Sequence, residues 1–249
     1  MTTKGTKCYL YFDKEPSVAE TLLANYPTKL TRTDFSTIVT NTTTGTIYYA
    51  DTSKGRTYYF AGNPTDNWVK FAGFYWRIIR INGNGSLRLI YQGTSANTTG
   101  SGTQLSDTST FNTNYNNNMY VGFMYSSGSV HGTGTDSTIK DALDSWYTSN
   151  LAGYASKLDG NAGFCGDRAS TTSSNGAPDD TGGTGTTETY YGARYRIYTN
   201  KTPSLKCSDS GDLYTTTGSS DGNKALTYPI GLITADEVAF AGGVNGSDN

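Results

Sequence analysis

The sharpest hydrophobic pattern in the chain runs through residues 67–93, NWVKFAGFYWRIIRINGNGSLRLIYQG, where two apolar, β-rich runs flank Asn82-Gly83-Asn84-Gly85. Asn-Gly between such runs is the strongest short-range hairpin signal. Gly and Asn also accept the positive φ angles of a tight turn. Period-two alternation sets Trp76, Ile78 and Arg80 on one face and Arg77, Ile79 and Ile81 on the other. Both faces carry apolar residues, which predicts a central hairpin in a covered sheet rather than an edge. Residues 46–51 and 56–61 flank Thr52-Ser53-Lys54-Gly55 and predict a second hairpin. Residues 119–125, 190–199 and 226–233 are predicted as further strands.

Helical spacing is clearest over residues 136–151, where Ile139, Ala142, Leu143, Trp146, Tyr147 and Leu151 recur on one face. Asp136 or Ser137 can cap this helix, and Asn150 stands near its other end. Ser17 and Glu20 have the spacing of a capping box for a short helix. Val18, Leu22 and Leu23 give it an apolar stripe, and Asn25-Tyr26-Pro27 ends it. Thr234 and Glu237 repeat the box before a short helix stopped by Gly242-Gly243.

Between these elements the chain is Thr-, Ser-, Gly- and Asn-rich, most of all over residues 94–118, 169–188 and 208–224, which are predicted as polar loops. The pattern predicts an α+β fold: a mixed, mainly antiparallel sheet with two or three helices. Residues 1–45 form an N-terminal arm with a short helix, and residues 46–249 form the main module.

Composition narrows the setting. Only 16% of the residues are charged, against about a quarter in ordinary globular chains. The surface is therefore solvated through hydroxyls and amides, the chemistry of polar extracellular β-proteins. Tyr, Ser, Gly and Asn are also the residues of adaptable binding loops. A net charge of −2 with dispersed Lys and Arg excludes a basic stripe for nucleic acid. No apolar run reaches membrane-spanning length, and the start, MTTKGTKCYLYF, lacks a signal-peptide core. Beside a secreted-type composition, Met1 is expected to be an imposed boundary within a longer chain.

Candidate chemistry is sparse. His131 is the sole histidine, in a Gly/Ser loop with no nucleophile motif nearby, and is expected at the surface. Cys8, Cys165 and Cys207 have no zinc-site spacing. Cys165 and Cys207 flank the Gly/Ser/Thr-rich insertion, where a disulfide would stabilise the fold by about 4 kcal/mol. Two unrelated buried thiols are the alternative. Cys8 is then free or paired outside the chain.

Asp179-Asp180 and Asp236-Glu237 fall in a loop and a helix cap, where solvation and capping account for them. No spacing shows two carboxylates facing each other across a cleft, as glycosidases need. The expectation is a chain without enzymatic activity.

No cofactor is expected. Calcium is the one option weighed, through Asp209-Ser210-Gly211-Asp212 and Asp221-Gly222-Asn223, but the Glu-Pro-Asn and Trp-Asn-Asp motifs of calcium-dependent lectins are absent. Trp68, Trp76 and Trp146 are assigned to the core. Tyrosines come as adjacent pairs in predicted strands, so one of each pair faces outward. Tyr48, Tyr58 and Tyr190 are the candidate ligand-facing aromatics, with solvated strand tyrosines as the plainer reading.

Five motifs carry a family resemblance: YYFAGNPTDNWVKFAGFYWRIIRINGNGSLRLIYQG, NNNMYVGFMYSSG, FCGDR, TNKTPSLKC and LTYPIGLITADEVAFAGG. Together they resemble surface-protein modules of gut bacteria over most of residues 46–243. Recurrent cysteines of that family correspond to Cys165 and Cys207, which favours their pairing. More distantly, LITADEVAFAGG is similar to a segment of formylglycine-generating-enzyme-like domains. Those share the C-type-lectin-like fold with variable proteins of diversity-generating retroelements and with phage tropism determinants. The match at Thr234, Glu237, Gly242 and Gly243 is structural, and the cysteine pair used by those enzymes has no counterpart here.

The family modules continue beyond Gly-Gly into a Tyr- and Trp-rich segment, so this chain is expected to be truncated at its C-terminus or completed by another chain. The resemblance implies an extracellular or cell-surface adhesin, binding carbohydrate or a host or bacterial surface protein. The alternatives are a structural or filament-forming subunit, as a homo-oligomer or completed by a strand-donating chain, and a degenerate formylglycine-generating-type enzyme.

Overall fold

The computed structural model describes residues 14–40, 45–52, 54–105, 109–111, 122–125, 133–171, 190–207, 209–217 and 222–244. Cys8, His131, Asp179-Asp180 and Asp221 lie outside the described residues.

Six strands form the main sheet: β1 (Thr28–Leu30), β2 (Thr46–Thr52), β3 (Gly55–Tyr59), β4 (Trp68–Phe71), β5 (Phe74–Ile81) and β6 (Leu87–Gly93). All of its ladders are antiparallel except β1 with β2. β5 is central: β3 and β4 pair with its two halves along one side, and β6 runs along the other. Among the described residues β4 and β6 each pair only with β5, so of the 67–93 unit β5 alone is central.

The run before the Asn-Gly turn divides in two at Ala72-Gly73, both at positive φ (53° and 85°), which is a tight hairpin turn. In the next turn only Gly85 is at positive φ (84°), with Gly85 N–H donating to Asn82 C=O and Asn82 N–H to Ser86 C=O. This three-residue loop puts Ile81 opposite Leu87 and Arg80 opposite Arg88. The β5–β6 ladder shifts register twice, at Gln92 on β6 and at Ile79 on β5, and the second shift breaks the alternation of β5. Ile79 is an extra residue between the Ile78–Leu89 and Arg80–Arg88 pairs, a β-bulge. It returns Ile81 to the face of Trp76 and Ile78, and puts Arg80 on the opposite face with Arg88.

The first face of the sheet is covered by helices. α1 (Val18–Ala24) starts at the expected Ser17–Glu20 capping box. Its inward stripe is Ala19, buried, with Leu22 and Leu23 half-buried, and is continued just past its end by the buried Tyr26, whereas Val18 is 65% exposed. Ala19 and Tyr26 pack with Ile47, Phe60, Ile78 and Ile81. Residues 14–40, within the segment assigned to an arm, thus contribute a strand to the sheet and two side chains to its core.

α2 (Thr138–Asn150) is capped by Ser137, one of the two expected residues, and sets Tyr147 and Leu151 against Trp76. Its other flank buries Leu143 with Phe123, Met124, Tyr214 and Leu226. Lys140 lies between these apolar groups, 1% exposed, with its ammonium 3.0 Å from Asp136 and 2.7 Å from Asp144.

The rest of the chain forms short ladders. β7 (Met124–Tyr125) pairs with β8 (Thr135–Asp136), β9 (Phe164–Cys165) with β12 (Leu213–Tyr214), and β10 (Ser170–Thr171) with β11 (Tyr190–Tyr191). Three predictions fail here. Residues 190–199 leave extended structure after β11 and wind into α3 (Gly192–Arg194) and a π-helical turn, Tyr195–Thr199. That turn buries Ile197 while Arg196 forms ion pairs. Residues 226–233 form no strand, because Pro229 has no donor and Ile230 N–H closes a γ-turn on Tyr228 C=O. Within the polar loop expected over 208–224, the described Asp212, Tyr214 and Thr215 are instead buried, with no exposed surface.

α4 (Ala235–Phe240) begins at the second expected capping box and lies on the other face of the sheet, with Phe240 edge-on to Tyr59 at 4.9 Å. With α1, α2, α3 and α4 plus the 3-10 and π turns, the described residues hold more helical segments than the two or three expected. Among those residues no helix is long and apolar enough to cross a membrane.

Candidate functional site

The second face of the sheet is polar at its centre. Arg80 on β5 and Arg88 on β6 stand side by side, placed there by the three-residue turn and the bulge. Glu237 reaches down to them from α4. Its Oε1 is 2.7 Å from Arg88 Nε and 3.5 Å from Arg80 Nη1. Its Oε2 accepts from the Thr234 backbone N–H at 3.0 Å, and its own N–H donates to Thr234 Oγ1 at 3.1 Å. One carboxylate therefore closes the helix cap and neutralises an arginine.

The N-terminal segment pins α4 in this position. Arg32 donates to Phe240 C=O at 2.7 Å and Ala239 C=O at 3.0 Å, and Val39 N–H to Gly242 C=O at 3.1 Å. Burial by itself pushes the Glu237 carboxyl up, but Arg88, Arg80 and the Thr234 N–H outweigh it and hold it below its ordinary value.

A second ionic cluster adjoins the first. Arg196 Nε donates to Asp236 Oδ1 at 2.9 Å, and its Nη2 bridges Asp236 and Asp167, 2.8 Å from the latter. Ser204 N–H donates to the same Asp236 Oδ1 at 2.6 Å. Asp167 holds a left-handed φ of 50°. Burial raises its carboxyl above the usual range, Arg196 opposes this, and Asp236 adds to it. The hydrogen bond to Asp236 leads the factors that raise the Arg196 pKa.

The Cys165–Cys207 disulfide spans these elements with a Cα–Cα distance of 5.4 Å, tying β9 to the segment after the π-helical turn. The pairing suggested by spacing and resemblance is therefore present. The bridge forms part of the wall of a cleft of about 490 Å³. The sheet face is its floor, with the turn at Asn82–Asn84, the chain at Asn161–Gly163, the strap at Ser204–Cys207 and the start of α4 around it. Among the described residues, five cationic side chains (Lys54, Arg80, Arg88, Arg196 and Lys206) and three anionic ones (Asp167, Asp236 and Glu237) line it, with amides and hydroxyls. Such a lining suits a polar ligand rich in hydrogen-bonding groups.

Among the described lining residues the cleft has Cys165 and Cys207 in its wall and neither Tyr48 nor Tyr58. Tyr48 stacks on Tyr59 at 5.7 Å, whereas Tyr58 packs with the α1 core, so the two lie on opposite faces of the sheet. Tyr190 lies in β11, opposite Thr171. Asp236 and Glu237 are 2% and 7% exposed, so solvation does not account for them; capping and arginine pairing do. Asp209 accepts from Gly211 N–H at 2.6 Å, and Asp212 accepts from Arg168 N–H at 3.0 Å. Among the described residues no group of three or more His, Cys, Asp or Glu could hold a metal ion.

Sequence reasoning missed Arg80, Arg88, Arg196 and Asp167. A signal existed for the first two, because a three-residue turn at Gly83–Gly85 pairs Arg80 with Arg88. Like charges directly opposite on a sheet call for an anion between them. No family model, curated protein or solved structure matches the chain.

Proposed function

We propose that this chain is an extracellular, non-enzymatic ligand-binding module of adhesin type, with a C-type-lectin-like arrangement, and that its ligand is a carbohydrate seated in the cleft. The observation that carries this reading is the preformed hollow of about 490 Å³, within the range of roughly 300–1,000 Å³ typical of small-molecule sites. Asn82, Asn84, Asn161 and Ser204 offer it amide and hydroxyl groups, which complement sugar hydroxyls in both donor and acceptor roles. The Glu237 and Asp236 carboxylates are engaged by arginines and by backbone N–H groups, an arrangement that favours binding over acid–base chemistry. A disulfide is compatible with an oxidising, extracellular setting.

Binding of the chain to a glycan array and to host mucins tests this. The expected result is binding to a restricted set of glycans, weakened more than tenfold by Ala162→Trp, which fills the cleft from its wall. Silence on both surfaces would overturn the reading, as would binding indifferent to Ala162→Trp.

A further inference from the structure

Arg80 and Arg88 are cross-strand partners with one carboxylate between them. Arg88 is well held: its Nε lies 2.7 Å from Glu237 Oε1, its Nη1 donates to Gly163 C=O at 2.7 Å, and its guanidinium lies 4.2 Å over the Phe164 ring. Arg80 is not. Its side chain is 13% exposed, its Nη1 stands 3.5 Å from the same Glu237 oxygen, and its Nε has no acceptor among the described residues. The other oxygen of Glu237 accepts from Thr234. Among the described residues, two guanidiniums therefore share one carboxylate in a largely dry place, where an under-compensated cation is unfavourable.

Burial, together with Arg88, pushes the Arg80 guanidinium down to about 10, with Glu237 offsetting only part of this. A hollow of about 10 Å³ beside Arg80 and Glu237 has room for one water, which would bring no charge. Arg196 offers no relief, being itself a cation held by Asp236 and Asp167. The open side of the arginine pair is the cleft, which both residues line.

We propose that Arg80, backed by Arg88, is an anion subsite, and that the cleft takes an acidic saccharide whose carboxylate or sulfate docks on the Arg80 guanidinium. This rests on the carbohydrate reading above and adds to it the charge of the ligand. Guanidinium matches both groups, since its planar fork donates two parallel hydrogen bonds to paired oxygens. An incoming anion would supply the missing charge and an acceptor for Arg80. Glu237 competes with it for the same cation.

The test uses glucose-terminated, glucuronate-terminated and sulfated oligosaccharides by calorimetry, and millimolar sodium sulfate at constant ionic strength by thermal melting. Wild-type protein should bind the acidic saccharides on the order of tenfold or more tighter than the neutral one, the effect of one charge-assisted contact. Arg80→Met keeps the length of the side chain and should abolish that preference. Glu237→Gln should strengthen it. The two acidic probes distinguish carboxylate from sulfate.

Sulfate should raise the melting temperature of the wild type and leave Arg80→Met unmoved. Equal affinity for acidic and neutral saccharides, or a preference that survives Arg80→Met, overturns the anion subsite and leaves the carbohydrate reading standing. An Arg80-dependent sulfate shift with no saccharide binding supports the subsite and overturns the carbohydrate reading. Absence of both effects overturns the subsite.

Discussion

Glu237→Gln separates the two roles of this side chain. Glutamine keeps the reach to the Thr234 N–H, because the capping box accepts Glu or Gln. It removes only the charge. Left behind are Arg88, 7% exposed, and Arg80, 13% exposed, with no anion between them. Removing one partner of a buried pair costs about 3–5 kcal/mol, whereas loss of a helix cap costs about 1 kcal/mol. If the charge dominates, Glu237→Gln loses about 3–5 kcal/mol, and Glu237→Ala loses about that plus the cap. If the cap dominates, Glu237→Gln resembles the wild type.

The pH dependence is a second criterion. Burial alone would raise the Glu237 carboxyl, but the arginines hold it below its ordinary value. A depressed folded-state pKa contributes stability that is present above the unfolded value and lost as pH falls through the folded one. The gap between wild type and Glu237→Gln should be full at pH 7 and shrink at pH values below the ordinary carboxylate range. Urea denaturation followed by tryptophan fluorescence at both pH values measures it. A difference within about 0.5 kcal/mol at pH 7, or a gap unchanged in acid, would refute the reasoning and mean that the arginines are hydrated.

Replacing Cys165 and Cys207 together by Ser should cost about 4 kcal/mol, given a sequence separation of 42 and the loop-closure relation; a loss under about 1 kcal/mol in urea denaturation would show that the strap is held without the bond. Asp167→Asn should hold or raise stability at neutral pH and make no difference in acid, because burial raises the Asp167 carboxyl and Asn both keeps an acceptor for Arg196 and tolerates the left-handed φ of 50°. Destabilisation of that variant at pH 7 would count against the raised carboxyl. Gly231→Ala should destabilise by about 1–3 kcal/mol, since an added Cβ would sit 2.4 Å from Phe164 Cγ; an unchanged melting temperature would show that the ring, over which Arg88 is stacked, can move aside.

Local chemistry made much of the fold legible. Both capping boxes, the Ser137 cap and the two hairpin turns depend on residues within a few positions of one another, so spacing alone announces them. The apolar face of α2 follows in the same way, because helical periodicity is a property of the segment itself. Where tertiary contacts compete with local preference, the pattern misleads. Ile79 is as apolar as its neighbours, yet it is the bulge. Residues 195–199 alternate like a strand but wind into a π-turn that buries Ile197 and lets Arg196 reach Asp167 and Asp236.

The cleft belongs wholly to the second category. Its charges come from β5, β6, α4, the π-helical turn and three loops, and Glu237 lies 149 positions from Arg88 along the chain, counted from the residue numbers. A carboxylate next to a helix cap looks solvated in sequence, because nothing in the local pattern shows that two arginines from a distant hairpin will exclude water from it. By itself the sequence determined the hairpins, the caps, the amphipathic helices and a weakly charged surface, all consequences of residue type and short-range spacing. Only the tertiary structure decided which charges meet. Burial and Coulomb interactions depend on distances through space, and these are set once the sheet, α4 and the disulfide strap close on one another.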